Sequence, residues 1–188
     1  MSVLARLLQR ADDEPIVIEE MRRKHLADML PIERDAYPKP WSRAVFESEL
    51  EQTRSGSRHY IVARRRRVVV GYAGLWISPD PAGAQGHITN LVVAAEHRRR
   101  GVASRLLGSL ATTAIERGCV ALTLEVRVSS TGAQELYRKF GFGPAGVRKR
   151  YYENTEDAIV MWCHDIQMPE YADRVRALEE RESGGGER

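Results

Sequence analysis

The sequence has few cysteines and no long apolar run. Its two cysteines, Cys119 and Cys163, cannot form a disulfide framework or supply the paired ligands of a zinc site. No apolar stretch approaches the roughly 20 residues that span a membrane, and the arginine-containing start lacks the apolar centre and cleavage site of a secretory signal. We therefore expect a cytoplasmic enzyme or binding domain that has reduced thiols and no membrane partner.

The chain also lacks a strong charge of either sign. Its 29 Lys and Arg residues and 26 Asp and Glu residues give a formal net charge of +3. Many nucleic-acid-binding domains are far more basic, so this charge allows an anionic ligand but does not require nucleic acid. We expect no specific nucleic-acid partner. The length of 188 residues suits one domain with extensions at its ends.

Hydrophobic spacing and helix-breaking residues predict an α+β domain. The predicted strands cover 16–18, 59–63, 68–77, 88–93, 119–127, 142–152 and 158–166. The predicted helices cover 21–36, with a kink or stop at Pro31, and 42–52, 101–117 and 131–140. A turn of arginines, 64–67, joins two strands, and 79–86 is a predicted loop. Helices cluster early, antiparallel strands lie in the middle and at the end, and one strand–helix–strand unit covers 88–127. This order favours a mostly antiparallel sheet covered by helices.

The same pattern divides the chain into three parts. Residues 1–14 form an N-terminal extension with the spacing of a short amphipathic helix, and residues 15–166 form the domain. Residues 167–188 are rich in charge and end in a glycine run, which predicts a peripheral helix with a frayed tail.

The stretch EHRRRGVASRLL, residues 96–107, combines three arginines and a glycine at a predicted helix start. A helix start has unpaired N–H groups and the positive end of the helix dipole, and the small Gly101 and Ala103 let a phosphate approach the backbone. A P-loop would need Lys and Ser/Thr after the glycine, and a dinucleotide fingerprint would need three glycines. These residues predict a pyrophosphate site, although a solvated arginine turn that caps a helix explains them equally well.

The pattern Arg98-x-x-Gly101-x-Ala103 resembles the Q/R-x-x-G-x-G/A acetyl-CoA signature of the GNAT N-acetyltransferases. The resemblance extends to a downstream set of segments: LEVR (124–127), ELYRKFGF (135–142), RKRYY (148–152) and EDAIVM (156–161). With the early Pro40-Trp41-Ser42, these segments make the chain similar to the ribosomal-protein-alanine N-acetyltransferases over roughly residues 16–164.

The resemblance implies the GNAT fold, a twisted sheet whose middle strands splay apart, with helices on both faces. It also implies acetyl-CoA as co-substrate, with no metal because the thioester is already activated. The residues that it assigns to acetyl-CoA are Leu91, Val92, Val93, Arg98, Arg99, Arg100, Gly101, Val102, Ala103, Ser104 and Ser130. Ser130 stands where the family usually has Asn, and its shorter side chain predicts a weaker or water-mediated contact.

Glu125 and Tyr137 are the candidate catalytic residues. Strand alternation places Leu124 and Val126 on one face and Glu125 on the other, and a buried carboxylate is costly unless it is paired or used. From the residues alone, Glu125 could equally form an ion pair, and Tyr137 could be a packed helix aromatic. The resemblance assigns Glu125 as proton acceptor and Tyr137 as proton donor to the departing sulfur. It places the oxyanion at backbone N–H groups near Val92 or Val93.

By the same resemblance, Trp41, Tyr151 and Tyr152 line a groove for a peptide N-terminus, although two tyrosines at a strand end are also common. We therefore expect acetyl transfer to a protein N-terminal α-amino group, specifically the alanine of the eighteenth small-subunit ribosomal protein. Two alternatives remain: a lysine or small-amine acetyltransferase, and a ribosome- or RNA-binding module that uses its arginine runs. His59 and His87 could be supplementary bases, but we expect ordinary surface or packing roles for both.

Overall fold

A computed structural model describes residues 14–184. Its strands are β1 (Ile16–Glu20), β2 (Arg58–Arg65), β3 (Val68–Ser78), β4 (Ala84–Val93), β5 (Cys119–Arg127), β6 (Gly143–Tyr152) and β7 (Glu156–His164). Its helices are α1 (Leu26–Ala36), α2 (Arg43–Gln52), α3 (Val102–Glu116), α4 (Thr131–Lys139) and α5 (Pro169–Gly184). The helix predicted within residues 1–14 lies outside the described residues, apart from Glu14.

The seven strands form one sheet in the order β1-β2-β3-β4-β5-β7-β6. Every neighbouring pair is antiparallel except β4 and β5, which run parallel because α3 crosses between them. The predicted α+β class with a mostly antiparallel sheet is confirmed.

Helices cover both faces of the sheet. On the face that we call the α1/α2 face, Leu26, Met29 and Phe46 pack against strand residues such as Tyr72 and Val92. On the opposite face, which we call the α3 face, the core is formed by a larger set of helix and strand residues that includes Leu106, Leu107, Leu110, Leu122, Leu124 and Val126. Burial of apolar side chains on two faces holds the helices against the sheet.

Pro31 does not end the first helix. We expected a kink or stop at this residue, but α1 continues to Ala36 with Pro31 inside it. Met29 and Ile32 are both buried on the α1/α2 face, so sheet packing on either side of the proline outweighs the one backbone hydrogen bond that proline removes.

Two further elements differ from their predictions. Strand β4 begins at Ala84, inside the expected loop, because Ala84 pairs with Cys119 on β5 and Gln85 pairs with β3. Helix α5 is not peripheral, since Tyr171 and Val175 are buried in the α3-face core at 7% and 3% exposure. The division of the chain at residue 167 remains a prediction.

Gly74 on β3 leaves room for the buried ring of Tyr60. A Cβ at residue 74 would lie 2.3 Å from Tyr60 Cε1 and 2.7 Å from Thr89 Oγ1. The Tyr60 hydroxyl donates to Glu49 at 2.9 Å, which restrains the ring. We expect Gly74→Ala to lower the free energy of unfolding by about 1–3 kcal/mol in urea titrations. Gly146→Ala is the control, because a Cβ there would meet nothing within 4 Å. Equal stability of the two variants would contradict this packing.

Candidate active site

The site is a gap between the two parallel strands. Strands β4 and β5 pair from Ala84 and Cys119 as far as Ile88 and Leu124. At that point Thr89 is an extra residue in the β3–β4 ladder, and such a bulge bends its strand. The bend separates β4 residues 89–93 from the end of β5. The predicted splay of the central strands is confirmed.

The edge of β4 presents backbone groups to this gap. The Ala94 N–H donates to the Val70 carbonyl on β3 at 2.9 Å. Because successive peptide groups point to alternate edges of a strand, Val92 faces β3, whereas Leu91 and Val93 face the gap. Of the three residues predicted to contact acetyl-CoA here, Leu91 presents both backbone groups to the gap. Val93 presents only its N–H, because its carbonyl accepts a hydrogen bond from Arg98 Nε, and the backbone groups of Val92 are turned towards β3.

The start of α3 has unpaired backbone donors. Gly101 occupies the N-cap position with a φ of 75°, and no side chain caps the helix. The Arg105 N–H donates to the Gly101 carbonyl at 3.1 Å, so the N–H groups of Val102, Ala103 and Ser104 precede that bond. Val102 and Ser104 are buried residues, so an anion at this helix start would meet backbone N–H groups and not their side chains.

The three predicted arginines occupy different positions. Arg98 Nε donates to the Val93 carbonyl at 3.1 Å and ties the loop to the end of β4. Arg99 has a φ of 61°, and its Nη1 lies 3.9 Å from where a Cβ on Gly132 would stand. Arg100 interacts with another residue and is not a free cation. Arg99 therefore connects the predicted anion loop to the start of α4.

Ser130 is the N-cap residue of α4. Its carbonyl accepts hydrogen bonds from Ala133 N–H and Gln134 N–H, both at 3.1 Å, while its side chain caps nothing. Because Arg99 approaches Gly132 from the other loop, the starts of α3 and α4 lie close together. The structure thus brings Ser130 near the arginine-rich loop.

Glu125 is the carboxylate at the mouth of the gap. It directly follows Leu124, the last β5 residue paired with β4, and it projects onto the α1/α2 face. Its side chain is only 7% exposed, with Oε2 lying 3.2 Å from His87 Nε2 and Oε1 lying 3.1 Å from Arg148 Nη1. Glu125 is therefore ion-paired, as one interpretation of the sequence expected. It also lies at the gap, where the other interpretation places a proton acceptor.

These contacts keep Glu125 ionised. Hydrogen bonding from His87 is the main cause that lowers the pKa of Glu125 below its usual value. Burial raises this pKa, and the charges of His87 and Arg148 lower it. At neutral pH the side chain is therefore a carboxylate, the form that can accept a proton.

Tyr137 on α4 is 7% exposed, and its ring packs against Phe142 at a centroid distance of 5.8 Å. No hydrogen bond to its hydroxyl is present within residues 14–184. Burial raises the pKa of Tyr137, with smaller contributions from Tyr37 and Tyr152. The phenol is therefore protonated at neutral pH, as a proton donor must be.

Tyr151 and Tyr152 occupy the end of β6 and not the loop after it. The Tyr152 hydroxyl donates to the Glu125 carbonyl at 3.0 Å, and the Arg127 guanidinium lies 4.1 Å from the centroid of the Tyr152 ring. The Tyr151 ring stands edge-on to Tyr152 at 5.1 Å. Both tyrosines are therefore positioned beside the catalytic candidate.

Trp41 contacts residues of helices α1 and α2. Its ring packs on Phe46 at a centroid distance of 5.3 Å, and its backbone N–H donates to Glu33 Oε1 at 2.8 Å. Tyr37, four residues earlier in the same loop, is partly buried against the α1/α2-face core. The grouping of Trp41 with the two tyrosines stays a prediction.

Sequence reasoning missed Glu33, Arg148 and the part played by His87. Glu33 is 1% exposed and also accepts a hydrogen bond from the Tyr72 hydroxyl. Its position seven residues after Leu26, on the apolar stripe of α1, was a detectable signal. Arg148 gave none, and His87 was considered only as a supplementary base, because the contacts of both with Glu125 depend on strand pairing.

Other features lie away from the gap. A concavity of about 550 Å³ is lined by residues including Arg22 and Leu50, and one of about 480 Å³ by residues including Arg105 and Glu179. Residues 14–184 contain no group of three or more side chains suited to hold a metal ion. Within the same range, no helix is long and apolar enough to cross a bilayer.

Comparisons with known proteins agree with this geometry. The acetyltransferase (GNAT) family model matches residues 26–142, a range that contains the gap, Glu125 and Tyr137. A Bacillus subtilis protein described as a candidate ribosomal protein bS18-alanine N-acetyltransferase is 36% identical over 146 residues, which are 77% of this chain and 93% of that protein. The N-alpha-acetyltransferase RimI of Mycobacterium tuberculosis is 34% identical over 154 residues, 80% of this chain and 94% of its own.

A solved structure shows the same architecture. The crystal structure of the ribosomal-protein-S18-alanine N-acetyltransferase from Escherichia coli superposes with a TM-score of 0.70 at 27% identity, covering 80% of this chain and 94% of that one. These matches span most of each protein and confirm the resemblance read from the motifs. The chain belongs to the GNAT family of acetyltransferases and is an acyltransferase.

Proposed function

We propose that this protein transfers the acetyl group of acetyl-CoA to a protein N-terminal α-amino group, and that its substrate is the N-terminal alanine of ribosomal small-subunit protein 18. The names of its relatives support this substrate. The observation that carries the proposal is the ionised Glu125 carboxylate at the mouth of the gap, beside Tyr152.

Acetyl-CoA fits the polar groups that line the gap, and when bound it supplies an activated acetyl group. The gap-facing backbone groups of Leu91 suit the amides of the pantetheine arm. The unpaired N–H groups at the start of α3, residues 102–104, suit the pyrophosphate, with Arg99 adding positive charge. Ser130 would contact the cofactor from the start of α4.

Glu125 accepts the proton of the substrate amine, through water. A protein α-amino group has a pKa of about 7.7–8, so its deprotonation at neutral pH costs only about 1 kcal/mol, and an ionised carboxylate is sufficient. The Val93 N–H, on the gap side of β4, stabilises the oxyanion. Tyr137 supplies a proton to the departing sulfur.

The peptide N-terminus enters between β6 and the loop before α2. Tyr151 and Tyr152 form one wall, and the loop that contains Tyr37 and Trp41 forms the other. Such a groove admits a free chain end and excludes a residue from the middle of a chain. The lysine alternative is less favoured, since an amine with a pKa near about 10.4 needs a stronger base than Glu125.

The RNA-binding alternative is weakened by ion pairing. Arg64 Nε lies 2.9 Å from Glu19, and Arg66 Nε lies 2.8 Å from Glu14. Arginines that are paired with carboxylates have less charge to offer to a phosphate backbone.

Mass spectrometry tests the proposal. The protein is first titrated with acetyl-CoA by calorimetry, and then incubated with acetyl-CoA and two peptides. One peptide starts with a free alanine and lacks lysine, and the other has a blocked N-terminus and contains lysine. We expect acetylation of the free alanine. Acetylation of the lysine peptide alone would favour the lysine alternative and refute this function.

A further inference from the structure

Asn90 on β4 is a buried carboxamide that the roles above do not use. It is 7% exposed, and its Oδ1 has no hydrogen-bond partner within the described residues. The pKa of Tyr37 rises to about 12 mainly through burial, and hydrogen bonding with the Asn90 side chain opposes that rise. The Asn90 side chain therefore lies near Tyr37, and its oxygen is left without a donor within the described residues. A buried acceptor without a donor costs free energy, so a bound ligand that supplies a donor would gain affinity here.

The position of Asn90 indicates which ligand it faces. Pairing of the parallel strands ends at Ile88 and Leu124, and Asn90 lies just past that point on β4 as Glu125 does on β5. Val92, two residues further along β4, packs in the α1/α2-face core, so Asn90 projects onto that face. Glu125 projects onto the same face. The two side chains therefore flank the mouth of the gap together.

Two hydrogen-bond acceptors placed in this way suit an amine as their ligand. A protonated α-amino group has three N–H donors, and one carboxylate leaves donors unused. The α1/α2 face also presents Tyr37 and Tyr152, whereas the proposed cofactor contacts are backbone groups of β4 and of α3. A second negative charge beside Glu125 would raise the pKa of its carboxylate. An uncharged acceptor adds a hydrogen bond to the amine without this effect.

We propose that Asn90 Oδ1 accepts a hydrogen bond from the substrate's α-amino group and orients it towards Glu125. This inference rests on the proposed function and adds a substrate-binding residue to it. Asn90 and Glu125 then share the donors of one amine.

Asn90→Leu tests this role, because leucine has a similar volume and no polar group. We expect the KM for an Ala-starting peptide to rise by at least about tenfold. The Kd for acetyl-CoA, measured by calorimetry, should stay within about twofold, and the thermal midpoint should be unchanged or higher because the unpaired acceptor has gone. Asn90→Asp, which keeps an oxygen at this position, should retain more of the peptide affinity than Asn90→Leu.

Thr89→Val is the matched control on the neighbouring residue. The Thr89 hydroxyl is also buried, but its neighbour is Tyr60. We expect its peptide KM to stay near the wild-type value. An equal rise in KM for both variants, or a fall of several degrees in the thermal midpoint of Asn90→Leu with loss of both affinities, would show a structural role and overturn the inference.

The remaining outcomes are also decisive. A higher Kd for acetyl-CoA with an unchanged peptide KM would assign Asn90 to the pantetheine amides and refute the amine contact. No change in either constant would refute it as well. A wild-type protein that binds acetyl-CoA but acetylates no free N-terminus refutes the proposed function itself, and the inference with it.

Discussion

Replacement of Glu125 by Gln is expected to lower kcat by about 100-fold or more. Glutamine keeps the length of the side chain, but its amide cannot accept the proton that the substrate amine must lose. The proposed cofactor contacts lie at the start of α3 and along β4, so acetyl-CoA should bind as it does to the wild-type protein. Steady-state rates with an Ala-starting peptide and calorimetry with acetyl-CoA measure the two effects separately.

Glu49→Gln is the control for this variant. Glu49 is also an enclosed carboxylate with arginine and aromatic partners: Oε2 accepts from Arg58 Nε at 3.1 Å and from the Tyr60 hydroxyl at 2.9 Å. Its replacement removes a similar set of contacts without touching the gap, so stability should fall while kcat is retained. Turnover of Glu125→Gln near the wild-type rate would remove Glu125 from its role.

Tyr137→Phe is expected to lower kcat by a similar factor of about 100 or more, without loss of acetyl-CoA binding. The ring that packs on Phe142 is preserved, and the hydroxyl that is removed has no hydrogen-bond partner within residues 14–184. Stability should therefore change little, and the loss of rate should report on the proton that the departing sulfur needs. Thermal unfolding and steady-state kinetics on one preparation separate the effect on stability from the effect on kcat.

Tyr171→Phe provides the comparison for Tyr137→Phe. Tyr171 is equally enclosed in the α3-face core at 7% exposure, but it lies on α5. Loss of its hydroxyl should leave kcat unchanged. If Tyr137→Phe behaves like Tyr171→Phe, Tyr137 is a packing residue and another group must protonate the sulfur.

Much of the fold could be predicted because its signals are local. The alternation of Leu124, Glu125 and Val126 determined both the strand and the face of its carboxylate. The arginine-glycine stretch before α3 marked the start of a helix with unpaired N–H groups. The prediction failed where tertiary packing overrides local preference: at Pro31, whose helix continues because both sides are buried, and at Tyr171, which packs into the core.

The candidate site was predictable as a set of residues but not as an arrangement. Motif spacing identified Glu125, Tyr137 and the loop before α3, and the comparisons confirm the family that these motifs indicated. Spacing could not show that Val92 turns its peptide group towards β3, that Arg98 bonds to Val93, or that Trp41 packs on Phe46. Those facts depend on which strand edge or helix happens to be adjacent.

The sequence by itself indicated most of the elements, the family and a set of candidate site residues, because periodicity and motif spacing are properties of positions along the chain. Only the tertiary structure decided that Glu125 is held ionised between His87 and Arg148 and that Asn90 flanks the same opening. These residues come from three strands, β4, β5 and β6. Their contacts arise from strand order, from a bulge at Thr89 and from the gap that it opens. None of these features can be predicted from local sequence.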